Sequence, residues 1–149
     1  MMKVVSFLIK ILKYIVLSFL VSNFDILADS LHLHVRCDSK WTVEALGNIV
    51  DNAIKYTACG GNVQIKVEQN SFFVKIDIID DGIGIEKEEI PKIFGRFYRS
   101  LSVADQPGVG IGLFLAREII QAQKGYIKVT SKRGKGSTFS VFLPIAKKE

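Results

Sequence analysis

At 149 residues the chain is long enough for one domain with a real core, and its 48% hydrophobic and 23% charged content is that of an ordinary globular protein. Of its 20 basic residues, Lys3, Lys10 and Lys13 fall in residues 1–22, which hold no acid; elsewhere 17 basic residues face 15 acidic ones. That near balance excludes the clustered positive face of a nucleic-acid binder, and the isolated Cys37 and Cys59 lack metal-ligand spacing and read as free thiols in a reducing compartment.

Residues 4–21 are strongly apolar. Their length is near the ~20 residues that span a bilayer, but Lys10 and Lys13 would then sit mid-membrane at roughly 2.5–3.5 kcal/mol each. On a helix Lys3, Ser6, Lys10 and Lys13 form one polar stripe, so an amphipathic helix accounts for the lysines better than a transmembrane helix or a signal peptide. Such a helix lies on a membrane surface, pairs with a partner helix or covers the domain. Residues 23–30 read as a linker or a short helical turn. Residues 31–36 alternate and read as a strand that places His32 and His34 on one face, with no third metal ligand near in sequence.

Asp38 or Ser39 caps the next helix, over residues 41–57. Leu46, Ile49, Val50, Ala53 and Ile54 have the spacing of a core-facing stripe. Asn48, Asn52 and Lys55 share a second face, extended one turn back by Glu44. Asparagine lowers helix propensity and gives a merely solvated face nothing in return. An amide oxygen aimed into a pocket suits Mg²⁺, which takes few protein ligands alongside waters and phosphate oxygens, and Lys55 adds positive charge for the same phosphates.

Residues 62–69 and 72–79 alternate around Asn70-Ser71 and predict a hairpin. The second strand runs into Asp80-Asp81-Gly82-Ile83-Gly84-Ile85, a carboxylate at a strand end followed by a turn through two glycines. A carboxylate there can accept a hydrogen bond from an amine such as that of adenine, and glycines let a ligand approach the backbone. Pro91 starts a short turn that ends at Ile93-Phe94. Residues 95–109 have no hydrophobic period and read as a lid-like loop carrying Arg96 and Arg99. Gly108-Val109-Gly110-Ile111-Gly112-Leu113 then opens a helix whose apolar residues are Ile111, Phe114, Leu115, Ile119 and Ala122. A glycine-rich turn at a helix start offers free amides to an anion. It is not a dinucleotide fingerprint, since no strand precedes it, and Gly134-Lys135-Gly136-Ser137-Thr138 is a hairpin turn rather than a Walker loop.

Taken in order, these pieces resemble the catalytic, ATP-binding domain of sensor histidine kinases, a branch of the Bergerat-fold ATPases, over roughly residues 31–144. Residues 48–57 look like the asparagine box, 80–85 like the first glycine box, 93–99 like the phenylalanine box, 108–113 like the second glycine box and 134–139 like the final turn. The resemblance implies an α/β, or α+β, two-layer sandwich: one mixed sheet packed against three helices, with ATP between the asparagine helix and the lid. It divides the chain into an N-terminal segment 1–30, an ATPase domain 31–146 and a tail 147–149.

By the family's roles Asn52 ligates Mg²⁺, Asn48 and Lys55 stand near the phosphates as the catalytic pair, and Asp80 takes the adenine amine. Tyr56, Gly82, Gly84, Ile85, Arg99 and Leu113 belong to the nucleotide set, Gly108, Gly110 and Gly112 wrap the phosphates, and Thr138 supports Asp80. Phe94 and Phe97 meet the helices that carry the phosphoacceptor histidine, and a response regulator is an indirect partner. Gly95 stands where the family more often has an acid, and residues 1–30 cannot supply the phosphoacceptor box or the two dimerisation helices. The expected activity is transfer of the γ-phosphoryl group of Mg-ATP to a histidine on a separate or missing domain, in the cytoplasm, with reversible membrane-surface association through residues 1–22. The alternatives are an anti-sigma-factor-type serine kinase and a non-catalytic ATP-binding module. Asn48 stands where the serine-kinase branch usually has a glutamate base, and a phenylalanine box is not expected there.

Overall fold

The computed structural model describes residues 2–3, 23–28, 34–35, 37–99 and 110–145. Three short strands come first: β1 (Met2–Lys3), β2 (Asn23–Ala28) and β3 (His34–Val35). Helix α1 (Ser39–Lys55) starts where the Asp38 carboxylate accepts the Trp41 N–H at 3.0 Å, and Tyr56 closes it. The hairpin β4 (Asn62–Gln69) and β5 (Phe73–Asp80) follows, turned by Asn70, whose side chain accepts the N–H groups of Phe72 and Phe73. After a 3₁₀ turn (Ile90–Lys92) come α2 (Gly112–Ala122), β6 (Tyr126–Lys132) and β7 (Gly136–Pro144).

The main sheet has the order β2-β4-β5-β7-β6. Its last four members are antiparallel neighbours, and β2 runs parallel to β4, so the sheet is mixed. β1 and β3 pair separately, and Val35 bridges to Ile145 just past β7.

Register follows from the period of two along each strand. Ile65, Ile78 and Phe139 form one row on the inner face, and Val67, Ile76 and Val141 the next. All are buried, together with Leu46, Ile49 and Val50 of α1 and Ala116 and Ile120 of α2. Each large aliphatic side chain buried in this way contributes about 1.5–3 kcal/mol. α1 packs on β5, α2 on β6 and β7, and the helices on one another. The outer face holds an aromatic group in which Tyr126 stacks on Phe142 at 4.4 Å between centroids and Phe73 meets both edge-on.

Several expectations change. Residues 23–28 form an edge strand of the main sheet instead of a linker or helical turn. The described residues hold two α-helices. The core face of α2 is Ala116 and Ile120, backed by Leu113 and Ile119, while Leu115 is 39% exposed and Ala122 also faces solvent. The apolar segment 4–21 and most of the lid, 100–109, lie outside the described residues.

Candidate nucleotide-binding site

Asp80 is the last residue of β5, on the inner face and only 8% exposed. Its carboxylate accepts the Gly82 N–H at 2.9 Å and is also hydrogen-bonded by the Ser137 backbone. Burial pushes its pKa above the ordinary carboxylate value, the neighbouring Asp81 charge adds to this, and the two backbone hydrogen bonds oppose it. Asp81 behaves in the opposite way. It is exposed and accepts both the Asn62 N–H, at 2.8 Å, and the Asn62 side-chain amide, at 2.7 Å, and these bonds hold its pKa low. One carboxylate is thus held inward on the core face of the sheet and the other ties the turn to the start of β4.

The glycines after Asp80 are dictated by backbone contacts. A Cβ on Gly82 would stand 2.2 Å from the Tyr56 carbonyl oxygen, the same oxygen that accepts the Ile83 N–H at 3.1 Å. Gly84 has φ +70°, and a Cβ there would be 2.1 Å from the Lys132 carbonyl oxygen. The Gly134 N–H reaches the Ile83 carbonyl at 2.8 Å, and the Ile85 N–H reaches the Ser131 hydroxyl at 2.8 Å. The turn is thereby fastened to the end of α1 on one side and to the β6–β7 hairpin on the other. Ile85 packs against the core.

Asn48 and Asn52 lie one turn apart on α1, each half-buried. Among the described residues neither side-chain amide has a hydrogen-bond partner. Lys55, a turn further, pairs with exposed Asp51 at 3.4 Å, a contact of about 0.3–0.5 kcal/mol. Tyr56 is the C-cap. Facing Asn48 is the start of α2: a Cβ on Gly112 would lie 3.7 Å from the Asn48 Cβ and Cγ. The amide face of α1 and the glycine-rich helix start therefore adjoin, with Leu113 turned to the core. Gly110, at φ +74°, accepts the Phe97 N–H at 2.9 Å and brings the two ends of the lid together; Gly108 lies outside the described residues.

Below the lid, loop and helix exchange arginines. Arg96 lies 4.7 Å over the Phe114 ring, and Arg117 of α2 lies 5.3 Å over the Phe94 ring. Arg99 is half-buried beside Tyr98, whose hydroxyl donates to Glu89 at 3.0 Å.

Two assignments shift. Phe94 is 8% exposed, edge-on to Phe139 in the core, so it offers a partner far less surface than Phe97, which is 65% exposed. Thr138 pairs in register with Ile79 and Thr130 and so lies on the opposite face of the sheet from Asp80; buried Ser137 is the residue across from Asp80. Ser131 and Ser137, which the sequence reading missed, carry the polar support of the turn. The available signal was that inward positions of β6 and β7 change from apolar to serine near the hairpin. No group of three or more His, Cys, Asp or Glu side chains that could hold a metal occurs among the described residues; an amide oxygen such as that of Asn52 suits Mg²⁺, which takes few protein ligands.

The Asp80 turn at the end of α1 and the glycine-rich start of α2 beside Asn48 are thus brought to the same helix. Residues 37–147 match the family described as "Histidine kinase-, DNA gyrase B-, and HSP90-like ATPase", and the chain belongs to it as an ATP-binding domain of the histidine-kinase kind. It is 39% identical over 116 residues to the sensor histidine kinase WalK of Bacillus subtilis (strain 168), a match covering 75% of this chain and 19% of WalK. The chain therefore spans about a fifth of that relative. Among solved structures, the mycobacterial sensor histidine kinase MprB shares the fold with a TM-score of 0.85 at 24% identity, over 99% of this chain and 97% of that one. The catalytic domain of the histidine kinase ThkA has a TM-score of 0.78 at 26% identity, over 93% of each chain.

Proposed function

We propose that the chain binds Mg-ATP between α1 and the turns at Asp80 and Gly110 and passes the γ-phosphoryl group to a histidine on another domain or chain. The observation that carries this reading is that α1 has the buried Asp80 turn fastened to its end at Tyr56 and the glycine-rich start of α2 beside Asn48 two turns earlier. Asp80 accepts the adenine amine, with Ser137 beside it, and Tyr56 and Ile85 flank the base. Asn52 holds Mg²⁺, which when bound neutralises charge on the phosphate oxygens. Asn48 and Lys55 contact the phosphates, the amides of Gly110 and Gly112 face them, and Gly108 and Arg99 complete the wrap. Phosphoryl transfer needs alignment and charge neutralisation more than covalent chemistry from the protein, and these groups supply both.

The three-helix sandwich is part of the same proposal, as are a domain over 31–146, the short segments before and after it, and a response regulator as indirect partner. Exposed Phe97 docks on the helices that bear the histidine. The site of action is the cytoplasm, with reversible membrane association through residues 1–22. No helix among the described residues is long and apolar enough to cross a membrane.

His34 lies in a strand, and neither His34 nor His32 has the sequence setting of a phosphoacceptor. Incubation of the purified chain with labelled ATP should therefore leave no acid-labile label, whereas adding a dimeric helical phosphoacceptor domain from a matching kinase should produce it. Acid-labile label on the chain alone, lost in His34→Ala or His32→Ala, overturns the acceptor assignment. Acid-stable label on a serine of an added protein moves the reading to the anti-sigma-factor type.

A further inference from the structure

We propose that Ser131 is a positioning residue for base selection, a role that rests on the adenine reading of Asp80. Ser131 sits on edge strand β6, opposite Ser137 in register. Its hydroxyl accepts the Ile85 N–H at 2.8 Å, donates to the Gly136 carbonyl at 3.0 Å and lies 2.7 Å from the Ser137 hydroxyl oxygen. A serine hydroxyl has one hydrogen and two lone pairs. With its hydrogen on Gly136 and one lone pair on Ile85, the remaining lone pair takes the hydrogen of Ser137.

Ser137, 7% exposed and across from Asp80, is then left with lone pairs alone for a base held at Asp80. Two acceptors, the Asp80 carboxylate and the Ser137 oxygen, welcome an amine and repel a carbonyl oxygen. At C6 adenine carries an amine where guanine carries a carbonyl oxygen. Ser131 thus sets the polarity of Ser137 without touching the base, and it fixes the Asp80 turn through Ile85 at the same time. Without Ser131, the Ser137 hydroxyl is free to turn its hydrogen toward a guanine carbonyl.

Calorimetry of the full chain with MgADP and with MgGDP tests this. Ser131→Ala should narrow the preference for ADP over GDP by about tenfold, the scale of one hydrogen bond that a wrong base leaves unmade. The Mg²⁺ dependence of affinity should be unchanged. Ser131→Thr, which keeps the hydroxyl and suits a strand, should retain the original preference. If Ser131→Ala does not fold, Ser131→Cys is measured in its place, since a thiol is close in size but a weak donor. An unaltered preference in the alanine or cysteine variant overturns the proposal, as does an equal loss in Ser131→Thr. Asp80→Asn separates the two layers. If it leaves the preference intact, the adenine reading fails; if it alters the preference while Ser131→Ala does not, the role of Ser131 fails alone.

Discussion

Gly82, Gly84 and Gly136 have no room for a Cβ because protein backbone occupies the space, whereas a Cβ on Gly112 meets Asn48 at an ordinary 3.7 Å. The two glycine-rich turns look alike as strings, yet Gly82 and Gly84 of the first are structural joints, as is Gly110 of the second, where a Cβ would stand 2.8 Å from the Tyr98 carbonyl oxygen, while Gly112 is left with space. At the Asp80 turn, glycine lets α1, β5 and the β6–β7 hairpin meet backbone to backbone. At Gly112 nothing in the protein forbids a methyl group. What a methyl there would do is take up space beside Asn48, on the side where the phosphates are proposed to lie. A glycine-rich motif is thus evidence for a ligand only at the positions that the fold itself leaves open.

The sharpest break of this contrast is Gly82→Ala. Its Cβ would stand 2.2 Å from a carbonyl that already accepts a hydrogen bond, so a loss of about 3 kcal/mol or more in folding stability is expected. Urea denaturation measures it, and a midpoint like that of the parent chain removes the joint. Next in size, Asp80→Asn should weaken MgADP binding by about 1–3 kcal/mol in calorimetry, because the amide can present a donor where the carboxylate only accepts. The same variant should melt higher at neutral pH. Burial raises the Asp80 pKa, so its contribution to stability is complete below the ordinary carboxylate value and is lost as pH rises through the raised one, leaving an unfavourable buried charge above it. Melting temperatures that fall in Asp80→Asn contradict that sign.

Asp81→Ala should cost about 1 kcal/mol, since its two bonds to Asn62 are charge-assisted but solvent-exposed. Its pKa is lowered, so this contribution is present above the ordinary carboxylate value and disappears as pH falls through the depressed one. Denaturation at acid and neutral pH should show the gap between variant and parent closing toward acid. The smallest effect sharpens the comparison most: Gly112→Ala should change stability by no more than about 0.5 kcal/mol, because alanine is the better helix former, yet it should weaken MgATP more than adenosine. Equal loss for both ligands would place Gly112 with the joints.

Much of the fold was legible because its signals are local. β4 spans the 62–69 that alternation predicts, and α1 carries the stripe from Leu46 to Ala53 at the predicted spacing. β2 was not legible, because its partner β4 is distant in sequence and no turn residues mark a hairpin between them. The families of side chains around Asp80 were readable, but not their phase. Thr138 and Ser137 are both hydroxyls one position apart, and the hairpin register alone decides which faces inward. Phe94 and Phe97 likewise share a residue type and a loop, and only packing against Phe139 separates the buried one from the exposed one.

The two helices are also fastened unevenly. At the far end from Gly112, the Gln123 side-chain oxygen accepts the Asp38 N–H, and its amide donates to Thr42 at 3.0 Å. Beside Gly112, by contrast, there is room for a Cβ at 3.7 Å from Asn48. The far end of α1 is tied in turn by the Tyr56 carbonyl, which accepts the Ile83 N–H, so one helix joins the α2 terminus to the Asp80 turn.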